Sequence, residues 1–113
     1  AHNLKSCSDL LYAYRVRFKK YYFKDKTKNE LAKKLIAARP SDLVVLSQQI
    51  AKKGTKPRSY TLEVIGIAVE MLYKSYLLNP KKIFLIKIEK LLKAYDAINQ
   101  NGNIKLQLIA NLC

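Results

Sequence analysis

Glycine and proline, the residues that most often interrupt regular structure, are rare in this sequence, which contains three of each in 113 residues. Sheet-rich domains need turn residues about every eight to twelve positions, whereas helices need them only at their ends. Half of the residues are hydrophobic, which is enough for one compact core and excludes a disordered tail. The sequence therefore predicts a single all-α domain over residues 1–113, built as a four- to five-helix bundle.

The first predicted helix begins at Ser8, a favourable N-cap, and ends near Lys24. One stripe of this helix is apolar, and cations occupy most of the remaining surface. Tyr12 and Phe23 lie among those cations, where an aromatic ring can stack on a base. The apolar stripe consists of Leu10, Leu11, Tyr14, Phe18, Tyr21 and Tyr22.

The second predicted helix opens with a capping box formed by Thr27 and Glu30, and it ends before Pro40. Ser41 and Asp42 are expected to cap the third helix. The expected apolar face of that helix consists of Leu43, Val44, Leu46 and Ile50. Gly54 is its expected terminator.

Two longer helices are predicted in the second half, over 60–78 and 80–99, and a short helix or an ordered tail is predicted over 104–112. Asn79 is expected to cap the helix that Pro80 opens. The inward positions of the two longer helices are predicted to be Leu62, Ile65, Val69, Leu72, Tyr73 and Tyr76, followed by Ile83, Phe84, Ile86, Leu91, Tyr95 and Ile98.

The net charge is far from balanced, since 22 Lys and Arg stand against eight Asp and Glu, for a formal charge of +14. Such an excess is typical of proteins that bind a polyanion, whether DNA, RNA or an anionic membrane surface. The lysine-rich surface of a thermophile is an alternative, but that pattern normally raises Glu together with Lys. Nucleic acid is therefore the favoured partner, and a membrane is a weaker one.

The positive charge is concentrated towards the N-terminus. Fifteen basic and four acidic residues lie in the first 58 positions, which therefore carry +11 of the total. This asymmetry divides the domain into a basic N-terminal helical region, 1–40, and a bundle core, 41–113. Lysines between 81 and 93 are interpreted as an ordinary solvated helix face. The predicted phosphate contacts are Arg15, Arg17, Lys19, Lys20, Lys24, Lys26, Lys28, Lys52, Lys53, Lys56 and Arg58.

Residues suited to catalysis or metal binding are scarce. His2 is the only histidine, the eight carboxylates are scattered, and no glycine-rich phosphate loop is present. Cys7 and Cys113 fit no metal-ligand spacing; free thiols are favoured, and a disulfide between them stays open if the two termini meet. No signal peptide or membrane-spanning segment is expected. The sequence predicts a protein that is not an enzyme and has no metal or cofactor.

Three short segments resemble the major coat proteins of filamentous archaeal viruses, the rudivirus and lipothrixvirus group. They are Val-Leu-Ser-Gln at 45–48, Gly-Thr-Lys-Pro-Arg-Ser-Tyr at 54–60 and Tyr-Leu-Leu-Asn-Pro at 76–80. The resemblance covers roughly residues 43 to 92. It implies a helical bundle with an N-terminal helical arm, whose subunits pair and stack into a filament that wraps A-form double-stranded DNA.

By that resemblance, residues 15–28 belong to a DNA-wrapping arm, and Lys56 and Arg58 to a loop near it. The implied partners are duplex DNA and other coat subunits, in a homo- or hetero-oligomeric filament. The implied location is the virion, with the host cytoplasm during assembly. The chain departs from the family in being more lysine-rich and in lacking the extreme N-terminal arm, and we expect that it derives from a longer protein.

Two other functions remain open. A small helical subunit of an RNA-guided archaeal defence complex also lines nucleic acid with basic residues, and it differs from a coat subunit in needing other proteins as partners. Binding of an anionic membrane surface through the first helix is a third possibility.

Overall fold

A computed structural model of the chain describes residues 26–52, 56–100 and 102–112. These residues form five α-helices and no strand, which confirms the predicted all-α bundle. The first predicted helix, 8–24, lies outside the described residues. The helices are α1 (Lys26–Ala37), α2 (Pro40–Ala51), α3 (Pro57–Leu78), α4 (Lys82–Asn99) and α5 (Ile104–Leu112).

The start of α1 differs from the prediction. Lys26 is already helical, so Thr27 lies inside the first described turn and is not the N-cap. Tertiary contacts of that turn account for the difference, because Lys28 reaches across to Glu63 of α3. Leu31, one turn later, is buried in the core. These contacts stabilise the helical conformation before the position that local capping chemistry favoured.

The cap of α2 is also displaced from the predicted position. Arg39 is the N-cap, Pro40 is the first helical residue, and Asp42 lies in the first turn. The Asp42 carboxylate accepts hydrogen bonds from the backbone N–H of Arg39 at 3.3 Å and from its Nε at 3.4 Å. Pro40 opens the helix because the first turn has no use for the N–H that proline lacks. Ser41 is therefore helical, and Gly54, the expected terminator, lies outside the described residues.

The starts of α3 and α4 also differ from the predicted positions. Pro57 opens α3 three residues before the predicted start at Tyr60. Asn79 closes α3, since its N–H donates to the Ser75 carbonyl at 2.9 Å. Asn79 thus ends one helix instead of capping the next, and Pro80 lies in the connection. The predicted ends at Leu78 and Asn99 and the predicted short last helix are confirmed.

The core is one cluster of buried side chains centred on α3. This helix packs against both α1 and α4, and α2 packs mainly against α5. Val44 and Ile83, predicted to face inward, are 44% and 48% exposed. Because α1 contributes to the same core, the described part of region 1–40 is integral to the bundle. The predicted inward residues that are buried are Leu43, Leu46, Ile50, Ile65, Val69, Leu72, Leu91, Tyr95 and Ile98.

Candidate nucleic-acid interface

Three helix ends meet at one end of the bundle. Lys28, in the first described turn of α1, forms an ion pair with Glu63 in α3. Its Nζ also lies 5.1 Å from the centroid of the Tyr60 ring in α3. The end of α2 reaches the same region, because Lys52 at the end of α2 and Thr27 in the first described turn of α1 line one groove. We call this region the basic end and define it by its three exposed lysines, Lys26, Lys52 and Lys56.

The groove beside the basic end is an open cleft between α1 and α2. Its volume is about 660 Å³, and a second hollow of about 450 Å³ lies beside it. Lys34 and Gln49 line both hollows, so the two are adjacent. Lys34 and Lys52 lie on opposite walls, which gives the groove a basic rim despite the presence of Glu30.

Sequence reasoning missed two basic residues of this surface. Lys33 and Lys34 are exposed on α1, about two turns beyond Lys26 on the same side of the helix. The signal was present, because positions separated by seven or eight residues fall on one helical face. The predicted clusters group residues that are neighbours in the sequence, whereas Lys33 and Lys34 come to share a face with Lys26 only once the chain is helical.

Lys28, a predicted phosphate contact, forms an ion pair with an acidic residue, Glu63. Its side chain is about one-fifth exposed, and Glu63 neutralises its ammonium group. The nearby Tyr60 ring adds a cation–π contact. Lys28 therefore joins α1 to α3, and a phosphate contact by this residue remains a prediction.

Arg58 has a structural role that the sequence analysis did not anticipate. Its Nη1 donates hydrogen bonds to the carbonyl oxygens of Ile98 and Gly102, the latter at 2.9 Å. Carbonyls at the C-terminus of a helix lack partners within the helix and carry the negative end of its dipole. The guanidinium of Arg58 thus caps α4 from a neighbouring helix, and it fixes the start of α3 beside the end of α4.

Gly102 completes this junction. Its N–H donates to the carbonyl oxygen of Ala97 at 2.9 Å. A Cβ at this position would lie 2.5 Å from the same oxygen, which is closer than real Cβ atoms approach a neighbouring atom. Glycine is required here by lack of space, because the nearest obstacle is backbone, which cannot move aside as the neighbouring Gln107 side chain could.

One of the lysines between 81 and 93, which were predicted to form a solvated helix face, has a similar structural role. Lys87 in α4 donates through its Nζ to the carbonyl oxygen of Ile36, at 3.1 Å, in the last turn of α1. Lys93 lies 3.3 Å from the Glu89 carboxylate one turn away on the helix surface. Part of the positive charge of the chain therefore stabilises helix ends and α4 itself, and is not directed to a partner.

Several predicted contact residues lie outside the described residues. In the sequence, Lys24 lies two residues before Lys26, and Lys53 directly follows Lys52. The residues outside the described part are Arg15, Arg17, Lys19, Lys20, Lys24 and Lys53, together with Tyr12, Phe23, Cys7 and Cys113.

The described part of the chain contains no group of three His, Cys, Asp or Glu residues that could hold a metal ion. No helix within the described ranges is long and apolar enough to cross a membrane. Glu70 is a carboxylate in the middle of α3 that is only 1% exposed, so it lies in the core and away from the basic end.

Comparison of the chain with protein-family models, curated proteins and solved structures found no match. The similarity to filamentous-virus coat proteins therefore rests on the three short segments alone.

Proposed function

We propose that this chain is a structural DNA-binding protein whose basic end lies against the phosphate backbone of duplex DNA. The observation that carries the proposal is the position of the exposed lysines. Lys26, Lys52 and Lys56 are exposed and lie at the start of α1, the end of α2 and the start of α3. The sequence places its densest basic stretch, 15–24, immediately before Lys26.

Binding of the backbone without base selectivity fits the side chains at this end. Base edges in the major groove are read mainly by Arg, Asn and Gln, which form paired hydrogen bonds with individual bases. The exposed cations of the basic end and of the adjoining α1 surface are lysines, which act as point charges towards phosphate. Their contribution comes from neutralising phosphates and releasing counterions, and it is independent of sequence.

We further propose that many copies coat one duplex, as subunits of a filamentous virus coat. The coat-protein resemblance supports this assembly and a location in the virion. A subunit of this kind associates with other copies of itself along the DNA. Electron microscopy of the protein mixed with linear duplex DNA tests the assembly, and regular filaments are the expected result. Isolated particles without periodic structure would contradict it.

A salt titration of DNA binding tests the proposed contact itself. Fluorescence anisotropy should report equal affinity for two duplexes of unrelated sequence. The logarithm of the association constant should fall linearly with the logarithm of salt concentration, by about 0.9 for each phosphate contacted. Binding that is insensitive to salt, or that strongly prefers one duplex, would reject the proposal. A strong preference for single-stranded RNA would favour a subunit of an RNA-guided complex instead.

A further inference from the structure

The α3–α4 hairpin ends in a segment that the core covers only in part. Leu72 on α3 and Ile88 on α4 are buried, whereas every residue from 73 to 87 is at least partly exposed. Exposure rises from 2% at Leu72 to 90% at Leu78. We call residues 73–87 the hairpin tip. Tyr73 and Phe84 still pack against the core, and Lys87 bonds to Ile36 in the last turn of α1.

Exposed apolar residues flank the turn at the apex of the hairpin tip, Asn79-Pro80-Lys81. Leu77, Leu78 and Ile83 are 58%, 90% and 48% exposed. Single exposed apolar residues are common on protein surfaces, whereas several around one turn indicate a contact.

The side chains around the apex form two further layers. Tyr73, Tyr76 and Phe84 are half-buried just behind it. Lys74, Lys81 and Lys82 are distributed around it, and the sequence from 71 to 88 contains no acidic residue. Exposed apolar residues next to lysines, with aromatic rings behind them, are the residue types that meet at a lipid interface. Long lysine side chains can extend from such a site to anionic headgroups.

We propose that the hairpin tip inserts into the surface of an anionic lipid bilayer. The side chains of Leu77, Leu78 and Ile83 enter the boundary between headgroups and acyl chains, and Lys81 and Lys82 contact anionic headgroups. A phosphate backbone alone would pair with the lysines but would leave Leu77 and Leu78 in water. Charge also argues against a second copy of the same tip, because that contact would bring lysines together without a carboxylate between them.

The proposal is independent of the proposed DNA-binding function. Arg58 holds the start of α3 beside the end of α4, so the hairpin tip lies at the opposite end of this antiparallel pair. At 1.5 Å per residue, the 22 residues of α3 separate the two ends by about 33 Å. Lipid at the tip and DNA at the basic end therefore do not compete for the same surface.

The first test uses the absence of tryptophan from this sequence. The Leu78→Trp variant of the full chain carries a single tryptophan at the apex. Its emission should shift to shorter wavelength with vesicles containing about one third phosphatidylserine, and brominated acyl chains should quench it. Leu106→Trp, at an exposed apolar position of α5, is the matched control and should show neither change. Equal responses, or no response at position 78, would overturn the proposal.

The second test separates insertion from general attraction of a basic protein to anionic lipid. In vesicle flotation at about 0.15 M salt, Leu77→Ser with Leu78→Ser should weaken binding at least about tenfold, because insertion depends on apolar burial. Leu106→Ser should bind as the parent chain does. Unchanged binding of the double variant would overturn the proposal. So would a response of the apex tryptophan to duplex DNA but not to vesicles.

Discussion

The guanidinium of Arg58 lies 2.9 Å from the carbonyl oxygen of Gly102, and this contact joins the first turn of α3 to the residues that follow α4. The same Nη1 atom also binds the carbonyl of Ile98. One cation thus satisfies two acceptors from different turns of the backbone, at a point where the chain passes from α4 towards α5. A residue that the sequence assigned to DNA contact is therefore part of the bundle.

Replacing Arg58 with Ala should destabilise the fold. The variant leaves two partly buried carbonyls without their donor, and hydrogen bonds from charged groups contribute about 1.5–3 kcal/mol. We expect a loss of about 1–3 kcal/mol in the free energy of unfolding, measured by urea denaturation. Lys56→Ala, at the exposed neighbouring position, is the control and should change stability by less than about 0.5 kcal/mol. Equal stability of the two variants would show that the Arg58 contacts are not significant in solution.

Substitution of Gly102 by Ala tests the same junction from the other side. The added methyl group would meet the Ala97 carbonyl oxygen at 2.5 Å, so the chain must shift and lose hydrogen bonds. We expect a loss of about 1–3 kcal/mol in thermal or urea unfolding. Gln100→Ala, at an exposed position two residues earlier, should be nearly neutral. A neutral effect of the Gly102 substitution would mean that the junction has room that the structure does not show.

The sequence predicted the helical class well because its signals are local and repeated. Apolar residues at helical spacing gave the helix ends at Leu78 and Asn99 and the core positions Ile65 and Leu91. Helix starts were predicted less well. Capping chemistry is present at several adjacent positions, and tertiary contacts such as that of Lys28 with Glu63 select among them.

The candidate site was predicted only in part, because a sequence gives the charges but not their partners. Arg58 and Lys87 are indistinguishable from solvated cations until the carbonyls of Gly102 and Ile36 are brought beside them. Lys34 became part of the surface only when α2 placed Lys52 across the groove. These relationships join residues from separate helices, so no local pattern encodes them.

Neutralising Glu63 should make Lys28 available to a partner. In Glu63→Gln the ammonium of Lys28 loses its acidic neighbour, and the net charge rises by one. We expect a stability loss of less than about 1 kcal/mol, because the pair is partly exposed. DNA affinity should increase by about twofold to fivefold, and the salt slope should become steeper by up to about 0.9. Glu89→Gln makes the same change in charge beside Lys93, away from the basic end, and is the control. A similar gain in both variants would indicate that net charge, and not position, controls binding.

Removing charge from the basic end should weaken DNA binding more than removing it from α4. The variant Lys26→Ala, Lys52→Ala, Lys56→Ala affects three exposed lysines that make no ion pair among those described, so its fold should be preserved. Anisotropy titrations should show a loss of about tenfold or more and a decrease of about 2–3 in the salt slope, because each lost phosphate contact removes about 0.9.

The matched control for this variant replaces Lys81, Lys82 and Lys93, which are equally exposed, with Ala. The same comparison extends to the basic stretch before α1. Replacement of Arg15, Arg17, Lys19 and Lys20 should reduce affinity more than replacement of Lys87, Lys90 and Lys93. The reason is position in the sequence, since residues 15–20 shortly precede Lys26 of the basic end and the three α4 lysines do not. Equal losses in each comparison would show that DNA responds to the charge of the whole surface, and would remove the basic end as a distinct interface.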